Sequence, residues 1–167
     1  MKLVCQRVNF AKLYVNEKLV SEIQKGFLVF VGVDVADTEI CCEKLARKLA
    51  GLRIFEDENQ KMNLSLSQVG GKILLVSNFT LCADCTHGFR PSFSNAQKGE
   101  RAKELYEYFA LLLSQNGVEC KLGVFGADMK IVCENDGPIN IVMDSNQIWF
   151  CPVLRFVHIM LYGQIFK

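Results

Sequence analysis

Phe27-Leu28-Val29-Phe30-Val31-Gly32-Val33 carries no charge and mixes aromatic with β-branched side chains. A short, continuously apolar run of this kind suits a strand with both faces buried, so it is read as a central strand. Upstream, Gln24-Lys25-Gly26 turns the chain into it. Residues 3–15 and 19–23 alternate loosely around Asn16-Glu17, the pattern of a hairpin. Downstream, Asp37 or Thr38 caps a helix in which Cys41, Leu45 and Leu49 recur at helical spacing, and Gly51 stands where a C-terminal glycine belongs.

Residues 53–55 read as a short strand ended by the polar run 56–61. Gly70-Gly71 then introduces residues 72–76, a second strongly apolar strand that delivers Ser77-Asn78-Phe79-Thr80 at its end. The polar connection 82–98, with Gly88 and Pro91, is longer than a compact domain needs for a linker, which points to function. Residues 100–115 form an amphipathic helix with Leu105, Phe109, Leu112 and Leu113 facing inward, closed by Asn116-Gly117. Finally, Glu134-Asn135-Asp136-Gly137-Pro138-Ile139-Asn140 separates two short apolar runs and reads as strand, turn, strand. Pro138 fixes its own φ and Gly137 permits a close approach. The turn is either a plain hairpin or a rigid device that presents bare carbonyls to a ligand.

At 167 residues, half of them hydrophobic and with a formal net charge of +1, the chain has the balance of one ordinary globular domain. It carries no basic field of the kind that tracks a nucleic-acid backbone, so any RNA contact must be local. There are eight cysteines. Residues 1–7 lack the apolar core of a secretory signal, so the thiols are expected to stay reduced, with Cys5, Cys41, Cys42, Cys120 and Cys133 serving as packing. Residues 148–166 are almost continuously apolar, but Pro152 and Arg155 interrupt them; an appended strand or surface tail is expected rather than a membrane span.

Several chemistries lack support. Neither G-x-G-x-x-G nor G-x-x-x-x-G-K-[ST] occurs, which removes the usual phosphate loops. Ser77, His87 and a carboxylate supply the residue types of a hydrolytic triad, but Ser77 does not sit in G-x-S-x-G. Cys82-x-x-Cys85 with His87 is short of the four ligands of a structural zinc, and no second pair follows at finger spacing. These are read as loop residues, with no metal and no cofactor.

The segments Val4-Cys5-Gln6-Arg7-Val8, Val76-Ser77-Asn78-Phe79-Thr80-Leu81, Gly88-Phe89-Arg90-Pro91-Ser92-Phe93-Ser94, the run 123–129 and Asn135-Asp136-Gly137-Pro138 together resemble D-aminoacyl-tRNA deacylase, the family with the Gly-cisPro motif. The resemblance spans residues 1–144 in order. With the pattern above, it implies an α/β fold of the mixed α+β kind: a curved, barrel-like, mainly antiparallel sheet with two main helices. One deacylase-like domain would cover residues 1–145, followed by an apolar extension at 146–167. It also implies a cytoplasmic homodimer that frees D-amino acids, and misplaced glycine, from the 3′ end of tRNA.

Carried onto this chain, the resemblance assigns catalysis to Ser77, Phe79 and Thr80, with the N–H groups of Phe79 and Thr80 meeting the carbonyl oxygen. Asn78, Met129, Asn135, Gly137 and Pro138 would bind substrate, the Gly-Pro carbonyls from the partner subunit, and Arg7 would donate to the carbonyls of that turn. Two departures touch the site. Asn78 stands where the family usually has Gln, and Asn140 where it has Thr, which leaves a weakened aminoacyl-tRNA-end binder as the alternative to an active hydrolase.

Overall fold

A computed structural model describes residues 1–148. In chain order the elements are β1 (Lys2–Val15), β2 (Lys18–Ile23), β3 (Gly26–Gly32), α1 (Glu39–Ala50), β4 (Arg53–Glu56), β5 (Met62–Ser65), β6 (Lys72–Ser77), α2 (Gly99–Gln115), β7 (Cys120–Leu122) and β8 (Lys130–Asp144), with 3₁₀ turns at Phe79–Cys82 and Ser145–Gln147. The spine is β1. It pairs antiparallel with β3 and then β2 along one edge and with β8 along the other. β6 joins β3 in parallel, and β7 joins β6 in parallel. Ser21 Oγ donates to Leu122 O at 2.6 Å, drawing β2 toward β7 and curling the sheet toward a barrel.

The central-strand reading of residues 27–33 holds, and the reason is visible in burial. Phe27, Val29 and Val31 enter the core beneath the helices, while Leu28 joins Val8, Leu13, Leu74 and Val76 on the opposite face. Cross-strand contact at the start of β3 leaves no room for a side chain: a Cβ on Gly26 would lie 1.9 Å from Lys72 O. α1 and α2 pack together over the first face, contributing Leu45, Leu49, Phe109 and Leu113, with Phe27 and Phe55 stacked at 5.2 Å. The Met1 ammonium pairs with Asp37 and donates to Ser145 Oγ at 2.9 Å, so the starts of β1 and α1 meet the end of β8.

Four local expectations are corrected. α1 buries Cys42, Leu45, Ala46 and Leu49, leaving Cys41 half-buried, and Gly51 closes it at an ordinary φ of −90°. The polar run after β4 leads into β5, a partner strand that its composition concealed; Asp57 shapes the turn by accepting from the N–H groups of Asn59 and Lys61. The Asn-Asp-Gly-Pro stretch is no hairpin, because both flanking runs belong to one strand, β8, and pair with the same neighbour. Cys133, read as packing, is exposed on β8. The tail expectation falls outside the described residues except at Ile148, which packs against the core. Among the described residues no helix is long and apolar enough to cross a membrane.

Burial pushes the thiols of Cys5, Cys42 and Cys120 up to about 12. Folding therefore holds their protons, so this contribution to stability is complete at low pH and is lost as pH rises above the unfolded thiol value of about 8.5. Alkylation at pH 8.5 followed by peptide mass mapping should modify the exposed Cys85 and Cys133 first. Cys5, Cys42 and Cys120 should react only when denaturant is added.

Candidate active site

The parallel pair β3 and β6 ends in register, with Val31 beside Ser77. The next N–H, that of Asn78, still donates to Val31 O at 2.7 Å, after which the chain leaves the sheet in the 3₁₀ turn Phe79–Cys82. The first residues of α2 and the segment entering β8 enclose the space beyond. The result is a cleft of about 470 Å³ with an apolar floor that includes Val31, Val76 and Ile131, and a polar rim that includes Ser77, Asn78 and Gln97. Tyr106 lines it too, but its hydroxyl donates to Leu75 O at 2.7 Å and burial raises its pKa, so it serves as a neutral strut rather than a base.

Of the residues singled out from sequence, Ser77, Asn78, Phe79 and Met129 come together on this cleft. Thr80 stands just outside the lining, and its polar atoms are committed. Asn78 Oδ1 accepts from the Thr80 N–H at 3.1 Å and from Thr80 Oγ1 at 2.5 Å. Asparagine is a natural residue for such a cap because its amide oxygen reaches forward only two residues along the chain. The expected pair of N–H donors toward a substrate carbonyl is therefore reduced: the Thr80 N–H is taken within the turn, while the Phe79 N–H has no partner among the described residues. The Thr80 hydroxyl faces an amide oxygen, which is not a base, so nothing here activates it as a nucleophile.

Asn135, Gly137, Pro138 and Arg7 are not among the residues lining that cleft. Val8 pairs with Asn135 and Gln6 with Asn140, so residues 136–139 loop out opposite Arg7 alone. The Gly137-Pro138 peptide is cis, and both residues are exposed. The expected donation from Arg7 to the turn's carbonyls is absent among the described residues. Arg7, only 5% exposed, instead donates through Nη1 to Ile54 O at 2.7 Å, and its Nε lies 2.8 Å from Asp136 Oδ2 but out of line for a hydrogen bond.

Side-chain amides brace the loop. Asn135 Nδ2 donates to Arg7 O at 3.0 Å and Ile139 O at 3.4 Å, spanning the base of the loop. Gln6 Nε2 donates to Asn140 Oδ1 at 2.9 Å, and Asn140 Nδ2 to Asn135 Oδ1 at 3.3 Å. Asn140, which read as a departure, thus belongs to the brace, as does Gln6, to which sequence reasoning gave no role. Their common signal is register, since Gln6 and Asn140 are cross-strand partners.

The other sequence candidates disperse. Cys82 is buried, with its thiol close under Gly32, whereas Cys85 is exposed. His87 is exposed on the loop and makes no hydrogen bond to Ser77.

The family model described as D-Tyr-tRNA(Tyr) deacylase matches residues 4–144. This chain belongs to the D-Tyr-tRNA(Tyr) deacylase family. It is 50% identical over 149 residues to the D-aminoacyl-tRNA deacylase of Thermotoga petrophila, covering 89% of this chain and 100% of that one. The protein of the same description from Koribacter versatilis is 50% identical over 147 residues, covering 88% and 99%. A solved structure of the c-Myc DNA unwinding element binding protein superposes with a TM-score of 0.81 at 36% identity over 86% of this chain and 98% of that one. A probable eukaryotic D-amino acid tRNA deacylase shares the fold, with a TM-score of 0.73 at 18% identity and the same coverage.

Within this deacylase-family chain, Gly137 has a φ of 124°, and a Cβ there would lie 2.7 Å from Ile139 Cγ1 and 2.9 Å from Ile139 N. Gly137→Ala should therefore cost about 2 kcal/mol through backbone strain, lowering Tm by about 4 to 8 °C in a thermal melt. Asn135→Ala, which removes one brace without strain, should cost only about 1 kcal/mol.

Proposed function

We propose that the protein hydrolyses the ester joining a D-amino acid to the 3′-terminal ribose of tRNA, releasing free D-amino acid and tRNA, and that it clears misplaced glycine in the same way. The observation that carries this reading is the cleft at the ends of β3 and β6, lined by the Phe79 main chain, the Asn78 and Gln97 amides, the Ser77 hydroxyl and Lys98, in a chain of this family. Water adds to the ester carbonyl carbon, the bond to the ribose oxygen breaks, and that oxygen leaves with a proton. The Phe79 N–H meets the developing oxyanion, a contribution worth about 3 kcal/mol per donor. An aminoacyl ester is reactive enough for positioning to suffice, with the vicinal ribose hydroxyl available to relay the proton.

Gly137 and Pro138 act from the partner subunit of a homodimer, their carbonyls facing the substrate α-amino group. Two features support that arrangement: the turn is exposed and outside the cleft lining of its own chain, and β8 displays Val132 and Val142 on an edge strand. A rigid main-chain wall beside the α-carbon separates D from L without reading the side chain. Residues 1–145 are the catalytic unit, 146–167 an extension, and the site of action the cytoplasm.

A second reading, an aminoacyl-tRNA-end binder with weak turnover, is favoured by one observation: Asn78 takes the Thr80 N–H. Incubation with matched D- and L-aminoacyl-tRNAs, measuring free amino acid, should show release from the D-ester and almost none from the L-ester. Equal release, or binding without release, overturns the hydrolase. Asn78→Gln lengthens the side chain beyond the two-residue cap and frees the second donor, so kcat should rise by about tenfold or more.

A further inference from the structure

Phe89 is the most exposed large hydrophobic side chain among the described residues, at 108% relative exposure, and His87, Gly88 and Arg90 beside it are exposed as well. Its setting is built rather than slack. Asp84 and Ser92 exchange backbone hydrogen bonds at 2.8 and 2.9 Å, and Asp84 Oδ1 accepts from the N–H and hydroxyl of Thr86 at 2.9 and 2.7 Å. The loop also grows directly out of the cleft. It follows the 3₁₀ turn that carries Phe79, and at its base Phe93 packs edge-on against the Phe79 ring at 5.1 Å. Phe89 stands three residues before Ser92, a reach of up to about 10 Å in extended chain. That exceeds one nucleotide step of about 3.4 Å along a stacked strand.

We infer that the 84–92 loop is a stacking platform for the unpaired 3′ end of the tRNA substrate, Phe89 taking a base face and Arg90 the adjoining phosphate. This inference rests on the proposed aminoacyl-tRNA reading. With a net charge of +1, the chain cannot hold RNA through a broad basic field and must rely on local contacts. An aromatic ring beside a guanidinium is the chemistry that grips single-stranded bases irrespective of sequence. A protein partner fits less well. The ring stands among polar and charged neighbours rather than in the contiguous apolar patch that a stable protein interface uses. The platform holds nucleotides upstream of the ester while the cleft holds the aminoacyl group.

The test compares wild type, Phe89→Ala, Phe89→Trp and Arg90→Ala on full-length D-aminoacyl-tRNA and on the D-aminoacyl ester of adenosine, which is too short to reach the tip. Phe89→Ala should raise KM for the tRNA substrate by about tenfold, with kcat within about twofold, and leave the adenosine ester unaffected. Phe89→Trp should restore binding. Arg90→Ala should weaken binding of uncharged tRNA and lower the magnitude of its salt slope by about one. An unchanged KM on tRNA, an equal loss on both substrates, or a change in sedimentation showing that Phe89 meets a second copy of this chain each overturns the inference. Titrating uncharged tRNA separates the two readings. If wild type hydrolyses no D-ester yet Phe89→Ala still weakens tRNA binding, the hydrolase fails and the platform stands; if hydrolysis is D-specific and Phe89→Ala binds tRNA normally, the platform alone fails.

Discussion

The register of Val31 against Ser77 in the parallel pair β3 and β6 fixes everything around the cleft. Two strands that end at one level leave their last backbone groups side by side, and the chain must turn out of the sheet at once. Asn78 makes that turn by donating backward to Val31 and capping forward onto Thr80. A one-residue slip would turn every side chain of β6 to the opposite face, emptying the core of Ile73 and Leu75 and moving the cleft's rim with them.

A second constraint lies across β1. Arg7 is buried between the sheet and β4, where an uncompensated guanidinium would be costly, and its partners come from two separate segments: Ile54 O and, from the looped-out part of β8, Asp136. The bulge is therefore anchored from beneath by a charge that cannot leave and from its base by amides. β1 carries both devices, since its first half registers β3, which shapes the cleft, and the same residues register β8, which carries the Gly-Pro loop. The two halves of the proposed site are separated in one chain and joined through a single strand.

Much of this was legible from residue pattern. Continuous apolarity marked β3 and β6 because both faces of those strands are covered, and helical spacing marked α1 and α2 because each covers only one. What escaped depended on partners distant in sequence. β5, just past the polar run 56–61, went unmarked because its side chains are only partly buried and its support comes from β4. Local turn signals at Gly137-Pro138 were real but ambiguous: Gly and Pro announce a departure from the ladder, and only the register of both flanks on β1 distinguishes a bulge from a hairpin. The amide of Asn78 read as a shortened ligand contact, whereas its reach suits it to cap its own chain. The charge of Arg7 was visible, but the carboxylate it would meet was not.

The brace of Gln6, Asn135 and Asn140 consists of carboxamides. Such groups neither titrate in the physiological range nor gather counter-ions, so the base of the looped-out turn is held by contacts indifferent to acidity and ionic strength, and charge enters only where Asp136 meets the buried Arg7 guanidinium. Discrimination between mirror-image substrates is a matter of shape, while capture of a polyanion is a matter of charge. In the proposed arrangement, holding the base of the Gly-Pro turn with uncharged dipoles lets salt alter how often a substrate arrives more than it alters which hand is accepted.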